Sequence, residues 1–272
     1  MRVAIVGAGA IGSFLADRIV AGAAGTAQLV AIADLPERRD FLTERATRLG
    51  CRWFDDPAAV LGERPDVVVE AVSPTVVRSH ALAWLEGGAD ALIMSVGALV
   101  DADLLDRLGA AASRLGRHVL VPSGAVGGLD VLRAASIEGL AEVELRTTKP
   151  PAALRGAPHL AQLGIDIDAI QEPTIVFDGP AAEAVVAFPA NLNVVAALSL
   201  AGIGPHRTRV VLVADPSVTR NIHEVRARGT FGELYLRLEN EPSPDNARTS
   251  LLAPLSALAL LRRRAASVQV GS

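Results

Sequence analysis

The chain has 272 residues, of which half are hydrophobic and only 3% are aromatic, and its formal net charge at pH 7 is −4. This length allows one large domain or two modest ones, and the acidic balance favours neither nucleic acid nor an anionic membrane as a partner. The single cysteine, Cys51, excludes an internal disulfide and a multi-cysteine zinc site, and we expect no metal site. The longest apolar stretch, 181–201, contains Glu183 and Pro189, which argues against a membrane span. The first predicted strand begins at once, so we expect a cytoplasmic protein without a signal peptide.

The N-terminal stretch MRVAIVGAGAIG joins an apolar run to a helical pattern through glycines. Val3–Val6 has the β-branched composition of a buried parallel strand, and the glycines follow at G-x-G-x-x-G spacing. In this motif the glycines permit a tight turn, close approach of a pyrophosphate and close packing of the helix on the strand. The helix N-terminus then offers free N–H groups to phosphate. A glycine turn without a ligand is the alternative interpretation. We predict that this loop binds a dinucleotide through Gly7, Gly9, Ala10, Ile11 and Gly12.

A second predicted strand, Gln28–Ala33, ends in an acidic residue, Asp34. A carboxylate at this position accepts a hydrogen bond from a ribose 2′-hydroxyl, which favours NAD. Arg38 and Arg39 follow on a predicted helix, Pro36–Leu49. They are typical of a solvated helix face, but arginines here also accommodate the 2′-phosphate of NADP, so both cofactors remain open.

Strands and helices alternate through roughly the first 120 residues, which predicts a doubly wound α/β sheet of the Rossmann type. Ligands in such sheets bind beyond the carboxyl ends of the strands, where Ser73 is therefore a predicted cofactor contact. Helices are predicted over 57–61, 74–87 and 101–115. The predicted strands are Val3–Val6, Gln28–Ala33, Arg52–Phe54, Asp66–Val72, Ala91–Val96 and His118–Val121.

The pattern changes after Gly128, where alternating strands indicate a mixed or antiparallel sheet and hence a second, α+β catalytic domain. These strands are Ala141–Thr148, Thr174–Asp178, Arg209–Ala214, His223–Arg228 and Glu233–Leu238. Residues 152–172 are predicted to be irregular, and helices are predicted over Leu129–Gly139, Pro180–Phe188, Asn191–Ala201 and Thr249–Arg264. We predict a Rossmann domain over 1–123, completed by a C-terminal helix within 247–272, and a substrate and dimerisation domain over 124–246.

One histidine differs from the others in its context. His223 lies in a polar segment, 215–224, that enters a strand of the second domain. A histidine with a pKa near neutrality can move protons at working pH, so His223 is a candidate catalytic residue and a structural role is the alternative. Structural roles are favoured for the remaining histidines, His80, His118, His159 and His206.

Two further segments combine small or amide side chains with turns. The glycines of Pro122–Gly128 permit close backbone approach to a ligand, and an interdomain hinge is the alternative. Asn191 and Asn193 lie at a predicted helix start, where they either cap the helix or hydrogen-bond a nicotinamide carboxamide.

Several segments spread in order over nearly the whole chain together resemble the L-aspartate dehydrogenase family. The later segments are more specific than the glycine motif. The matching stretches are Val3–Gly12, Ser95–Leu99, Val121–Asp130, Thr147–Pro151, Phe188–Gly202, Ala214–Gly232 and Asn246–Ser250.

This resemblance implies oxidative deamination of L-aspartate with NAD or NADP, through iminoaspartate to oxaloacetate and ammonia, in a homodimer. The imine can then supply NAD biosynthesis. The family's catalytic histidine maps onto His223, and its cofactor contacts map onto Ala125 and Asn191.

The substrate carboxylates need cationic or N–H donors, for which Lys149, Arg146 and Arg220 are candidates. We expect substrate to be bound by Lys149, Asn193, Arg220 and Asn221. Two segments depart from the family pattern, because 146–150 reads RTTKP and 246–250 reads NARTS in place of NPKTS. Which cation holds a carboxylate therefore stays open.

Two other functions share parts of this pattern. An oxidoreductase of the homoserine dehydrogenase or dihydrodipicolinate reductase type has a similar first domain but lacks the segments SGAVGGLD and RNIHEV. A non-enzymatic NAD-sensing protein would keep the glycine loop without needing the polar turn before His223.

Overall fold

The computed structural model describes residues 1–189, 193–243 and 246–270. The chain divides into two compact units. Unit 1 comprises Met1–Pro122 together with the C-terminal segment from Pro254, and unit 2 comprises Ser123–Ala253. Within the described ranges, every helix is too short or too polar to cross a membrane.

Unit 1 contains a six-stranded parallel sheet. Its strands are β1 Arg2–Val6, β2 Gln28–Ala33, β3 Arg52–Phe54, β4 Val67–Glu70, β5 Asp90–Ile93 and β6 Val119–Leu120. They lie in the order β3-β2-β1-β4-β5-β6, so the strand order reverses between β1 and β4. That reversal marks the crevice in which doubly wound sheets bind their ligands. The predicted Rossmann fold is confirmed.

The helices of unit 1 begin and end at residues suited to those positions. Asp101 accepts a hydrogen bond from the N–H of Leu104 (3.2 Å) at one helix start, and glycines with left-handed φ close two helices at Gly50 and Gly116. The four helices are α1 Ala10–Val20, α2 Arg39–Leu49, α3 Pro74–Glu86 and α4 Ala102–Leu115.

A C-terminal helix, Leu252–Ala265, contributes to the core of unit 1. Its residues Ala257, Leu258 and Leu261 are buried in the cluster that also holds the apolar side chains of β1 and β2. Arg264 adds an ion pair with the carboxylate of Asp90 at the start of β5. The core of unit 1 is therefore completed by a helix that is remote in sequence from its strands.

Unit 2 contains a five-stranded mixed sheet. Its strands are β7 Leu140–Lys149, β8 Thr174–Pro180, β9 Arg209–Ala214, β10 Asn221–Gly229 and β11 Gly232–Asn240, and a separate pair is formed by β12 Pro242–Ser243 and β13 Asn246–Ser250. The order is β11-β10-β7-β9-β8, with β7 and β9 parallel and the other neighbours antiparallel. The helices are α5 Leu129–Ala135, α6 Pro158–Leu163, α7 Ala181–Ala187 and α8 Asn193–Ala201.

The two faces of this sheet differ because side chains alternate along each strand. Val143 and Leu145 of β7 and Val225 of β10 are buried in one core with α5 and α8. The opposite face carries paired charges, for example Arg209 with Glu144 at 3.0 Å. Apolar packing thus fixes which strand positions point inward.

Several predicted boundaries are wrong. Thr249 and Ser250 lie in β13 rather than in the final helix, because β13 pairs with β12 and the helix begins only at Leu252. The helix predicted from Pro36 starts with a 3₁₀ turn, and α2 proper begins at Arg39. The segment predicted as irregular, 152–172, holds α6, which the glycine at 164 ends.

Candidate active site

The core face of the five-stranded sheet changes from apolar to polar at one end. The inward-facing positions there are Thr147 and Lys149 on β7, His223 and Asn221 on β10, and Asn240 on β11. All are buried, with at most 6% of each residue exposed. Burying polar groups costs free energy unless they are paired, so such a cluster is a candidate functional site.

His223 lies at the centre of this cluster. It sits directly opposite Thr147 in the antiparallel β7–β10 ladder, with Thr147 Oγ1 and His223 Nδ1 3.1 Å apart. Desolvation, aided by the positive charge of Lys149, lowers the pKa of His223 to about 3. The imidazole is therefore neutral at pH 7 and holds one nitrogen lone pair.

Lys149 is the last residue of β7 and is only 3% exposed. Burial lowers its pKa to about 8, so at pH 7 the ammonium is still charged. A buried cation of this kind can bind a carboxylate strongly, because water does not screen the attraction.

Two buried asparagine side chains link the cluster to neighbouring segments of unit 2. Asn221 Nδ2 donates to Ser250 Oγ at 3.2 Å, which ties the start of β10 to β13. Asn240 Nδ2 donates to the backbone carbonyl of Ala125 at 3.0 Å, which anchors the glycine-rich segment before α5. Ala125, a predicted cofactor contact, is thereby fixed by the same sheet that carries His223.

Other predicted substrate residues lie in different surroundings. Arg146 is on the opposite face of the sheet from His223, with Glu224 as its cross-strand partner. Arg220 is about half exposed and pairs with Glu241 at 2.5 Å. Asn193 is the exposed first residue of α8, and the predicted contact Asn191 lies outside the described residues. Lys149 and Asn221 are the predicted substrate residues that the sheet places beside His223.

The glycine loop of unit 1 has the geometry that its motif predicts. Gly7 has a φ of +102°, and a Cβ there would lie 2.5 Å from the carbonyl oxygen of Ala71. A Cβ on Gly12 would lie 1.7 Å from the carbonyl oxygen of Gly7, so only glycine lets α1 pack on the turn. A Cβ on Gly9 would meet no atom within 4 Å, which leaves room for a ligand.

The start of α1 fits a phosphate group. Gly9 is the N-cap and offers no side-chain acceptor, so the first N–H groups have no side-chain cap. Ala10 and Ile11 are the first residues of the helix and are partly exposed. Free N–H groups and the helix dipole attract anions, so this end of α1 suits a pyrophosphate.

Asp34 lies immediately beyond β2 and faces the glycine loop. Its Oδ2 accepts hydrogen bonds from the N–H of Ala8 at 2.8 Å and from Nη1 of Arg38 at 2.6 Å. Arg39 instead pairs with Asp55 at 2.8 Å. Of the two arginines considered for NADP, Arg38 is thus the one beside the acidic residue.

Ser73, another predicted cofactor contact, lies between the end of β4 and the start of α3. Its hydroxyl accepts a hydrogen bond from the N–H of Val76 (3.4 Å) as the N-cap of α3. Its own N–H donates to the buried carboxylate of Glu70 at 2.8 Å. Sequence analysis missed Glu70, Thr147 and Asn240, although each is a polar residue at a buried position of an apolar strand pattern.

His80 and His159 pack against aromatic rings, and Cys51 is partly buried. His80 stacks on Trp84 within α3, and His159 packs against Phe177 and Phe188. Burial raises the pKa of Cys51 to about 11, so its thiol is unreactive at neutral pH.

A groove of about 530 Å³ also lies on the charged face of the five-stranded sheet. Its arginines pair with neighbouring carboxylates, as Arg228 does with Glu233 at 2.7 Å. These groups are largely exposed, so solvent weakens their interactions. The buried cluster around His223 is therefore the better candidate for chemistry.

These features place the chain among the oxidoreductases that use a pyridine nucleotide. Residues 7–122 match the model of the homoserine dehydrogenase NAD-binding domain, and residues 130–264 match the aspartate dehydrogenase C-terminal model. The chain is 42% identical to L-aspartate dehydrogenase of Methanosarcina barkeri, over 100% of both chains. It is 45% identical to that of Methanocella arvoryzae, over 100% of this chain and 99% of the relative. The chain belongs to the L-aspartate dehydrogenase family.

A solved structure agrees with this assignment. The crystal structure of aspartate dehydrogenase from Thermotoga maritima matches with a TM-score of 0.74 at 28% identity, covering 100% of this chain and 99% of that chain. The match to the homoserine dehydrogenase family concerns unit 1 alone, as expected for a nucleotide-binding fold shared among dehydrogenases.

Proposed function

We propose that this chain catalyses the oxidative deamination of L-aspartate with NAD or NADP, through iminoaspartate to oxaloacetate and ammonia, and the reverse reductive amination. The observation that carries this proposal is the buried cluster of His223, Thr147 and Lys149 in a chain of this family. Two relatives, 42% and 45% identical to this chain, bear the name L-aspartate dehydrogenase, and this supports L-aspartate as the substrate.

The proposed cofactor site follows the crevice of unit 1. A pyridine nucleotide held there would supply the hydride acceptor for oxidation at Cα of the substrate. The carboxylate of Asp34 beside Ala8 suits a ribose 2′-hydroxyl and disfavours a 2′-phosphate, so we propose a preference for NAD. The proposed contacts are Gly7, Gly9, Ala10, Ile11, Gly12, Asp34, Ser73, Ala125 and Asn191.

His223 is proposed to handle protons on the substrate. The substrate amine must be neutral before hydride leaves Cα, and the neutral imidazole can take its proton. Burial is the main cause of the low pKa of His223, and the positive charge of Lys149 is the second cause. A dicarboxylate beside Lys149 offsets that second cause, so the imidazole holds the proton more readily once substrate is bound. Once that proton has left the ring, the neutral imidazole can activate the water that hydrolyses the imine.

Lys149 is proposed to bind a substrate carboxylate, with Asn221 and Arg220 at the start of β10 and Asn193 at the start of α8 as further donors. Lys149 is the most strongly supported of these, because it is a buried cation whose charge acts on His223. Arg220 would have to leave its ion pair with Glu241 to take part.

The first test measures absorbance of the reduced cofactor with purified protein, L-aspartate and either NAD or NADP. Turnover confined to aspartate supports the proposal and ranks the two cofactors. No turnover in either direction, with reduced cofactor still binding, would overturn the aspartate assignment.

A variant pair tests the role of His223. His223→Ala should lower turnover by about 10²–10⁴-fold, the range for loss of a general base. His206→Ala changes an exposed histidine of unit 2 and should leave turnover unchanged. Near-normal turnover of His223→Ala would remove that residue from the mechanism.

The family resemblance also supports a homodimer acting in the cytoplasm. Light scattering of the purified protein would give twice the monomer mass for a homodimer.

A further inference from the structure

Glu70 is the last residue of β4, where the strand order of unit 1 reverses. It is fully buried, and its register partners are Val6 at the end of β1 and Ile93 at the end of β5. An acidic residue here interrupts an otherwise apolar strand. It carries no assigned role in the proposed reaction.

The carboxylate of Glu70 accepts hydrogen bonds from both neighbouring segments. Oε1 accepts from the N–H groups of Val72 at 2.7 Å and Ser73 at 2.8 Å. Ser95, which follows β5, donates its hydroxyl to Oε1 and its N–H to Oε2, each at 2.9 Å. Every partner is a donor, so the ionised carboxylate is the form that satisfies them all.

Burial is the largest influence and raises the pKa of Glu70 above its ordinary value. The four hydrogen bonds favour the charged form and offset only part of that rise. A buried carboxylate is costly, and its retention at a strand end requires such a set of donors. The side chain therefore fastens the turn after β4 to the turn after β5.

This turn forms one wall of the crevice. The residue between Glu70 and Val72, Ala71, donates its N–H to the carbonyl of Val6 at 2.8 Å. The carbonyl oxygen of Ala71 lies only 2.5 Å from the position that a Cβ on Gly7 would take. The glycine loop and the β4 turn are thus in direct contact, and a shift of one displaces the other.

We propose that Glu70 is a positioning residue for the pyridine nucleotide, which holds the β4 turn and Ser95 in the arrangement that the cofactor requires. The inference rests on the proposed cofactor site in this crevice. Glu70 acts through backbone atoms and the Ser95 hydroxyl and does not itself touch the cofactor.

The test is Glu70→Gln, with NADH affinity measured by isothermal titration calorimetry. The amide places a donor opposite a donor N–H, so at least one hydrogen bond is lost and the turn must move. We expect the Kd for NADH to rise about tenfold or more, the effect of losing a hydrogen bond to a charged group. KM for aspartate at saturating cofactor should stay within about twofold, since Glu70 is not among the proposed substrate contacts.

Trp84→Phe is the matched control for general destabilisation of unit 1. It removes the partly buried hydrogen bond from Trp84 Nε1 to the carbonyl of Pro57 (3.0 Å), and neither residue is a proposed cofactor contact. If both variants lower the unfolding midpoint but only Glu70→Gln weakens NADH binding, the positioning role is supported. Equal NADH affinity in wild type and folded Glu70→Gln would overturn it.

A milder variant keeps the proposal testable if Glu70→Gln does not fold. Ser95→Ala removes only the hydroxyl bond to Oε1 and should raise the Kd for NADH by about two- to fivefold. An unchanged Kd in Ser95→Ala would then count against the proposal. Failure of the wild-type protein to bind NADH would instead refute the cofactor site itself.

Discussion

Thr147 Oγ1 lies 3.1 Å from Nδ1 of His223, and the two residues face each other across the β7–β10 ladder. A neutral imidazole carries one hydrogen, and the group that contacts one ring nitrogen decides which nitrogen keeps it. For Nε2 to accept a proton from substrate, Nδ1–H must donate to Thr147 Oγ1. Thr147 therefore orients the ring. Because a hydroxyl can donate or accept, the base role of His223 requires the arrangement in which Thr147 Oγ1 accepts from Nδ1–H.

Thr147→Val should lower kcat by about 10- to 100-fold, because the similar volume keeps the packing while the hydroxyl partner of His223 is lost. The KM for NAD should change little, since Thr147 is not among the proposed cofactor contacts. Steady-state kinetics with aspartate and NAD measure both effects.

Thr147→Ser is the matched control, because it retains the hydroxyl. It should recover most of the activity, and the pH profile of kcat should resemble that of the wild type. A Thr147→Val enzyme with normal kcat would show that the tautomer of His223 does not depend on this hydrogen bond.

Lys149 should make the binding of an unreactive dicarboxylate depend on pH. Burial lowers its pKa to about 8, so the ammonium is charged at pH 7 and progressively lost above pH 8. Succinate does not titrate in this range, and its affinity, measured by calorimetry with NADH present, should fall by up to about tenfold per pH unit between pH 8 and pH 10.

Lys149→Met should bind succinate weakly and without this pH dependence. Arg146→Met is the matched control, since its side chain lies on the other face of the sheet and should leave the wild-type profile intact. Retention of the alkaline decline in Lys149→Met would assign the titration to another group.

The same substitution should stabilise the protein at neutral pH. The pKa of Lys149 falls from an ordinary value of 10.5 to about 8 on folding, which corresponds to about 3 kcal/mol of unfavourable free energy at pH 7. Between pH 8 and 10.5 the unfolded chain holds a proton that the folded chain does not, so wild-type stability from this group rises with pH. Lys149→Met should therefore unfold at a higher temperature at pH 7, and its advantage should shrink by pH 10. A lower unfolding midpoint at pH 7 would mean that contacts of the ammonium outweigh its desolvation.

Asp34 and Arg38 should set the choice of cofactor in opposite directions. In the wild type, Arg38 pairs with the carboxylate of Asp34 at 2.6 Å. Asp34→Ala removes this carboxylate, which repels a 2′-phosphate, and leaves Arg38 free to bind that phosphate. The ratio of kcat/KM for NADP to that for NAD should rise about tenfold or more. Arg38→Ala leaves the carboxylate of Asp34 without its arginine partner and should lower the ratio of kcat/KM for NADP to that for NAD. An unchanged ratio in both variants would place cofactor selection elsewhere.

Local patterns predicted much of this fold. The strands Gln28–Ala33, Arg52–Phe54 and Arg209–Ala214 are confirmed at both ends, because apolar runs bounded by turn residues carry their own limits. The last helix is confirmed, but its predicted start at Thr249 is wrong for the opposite reason. Ser250 pairs with Asn221, 29 residues earlier, and that contact has no local signal.

The sequence by itself determined the Rossmann fold and the glycine loop, and it made His223 and Lys149 candidate site residues. Residue type and short spacing are enough to indicate these features. Only the tertiary structure decided that Thr147, 76 residues before His223, is its partner, and that Arg146 lies on the other face. Strand register sets both outcomes, since a shift of one residue exchanges the two faces of a strand. Burial likewise arises only when the chain folds, and it is burial that lowers the pKa of His223 and Lys149.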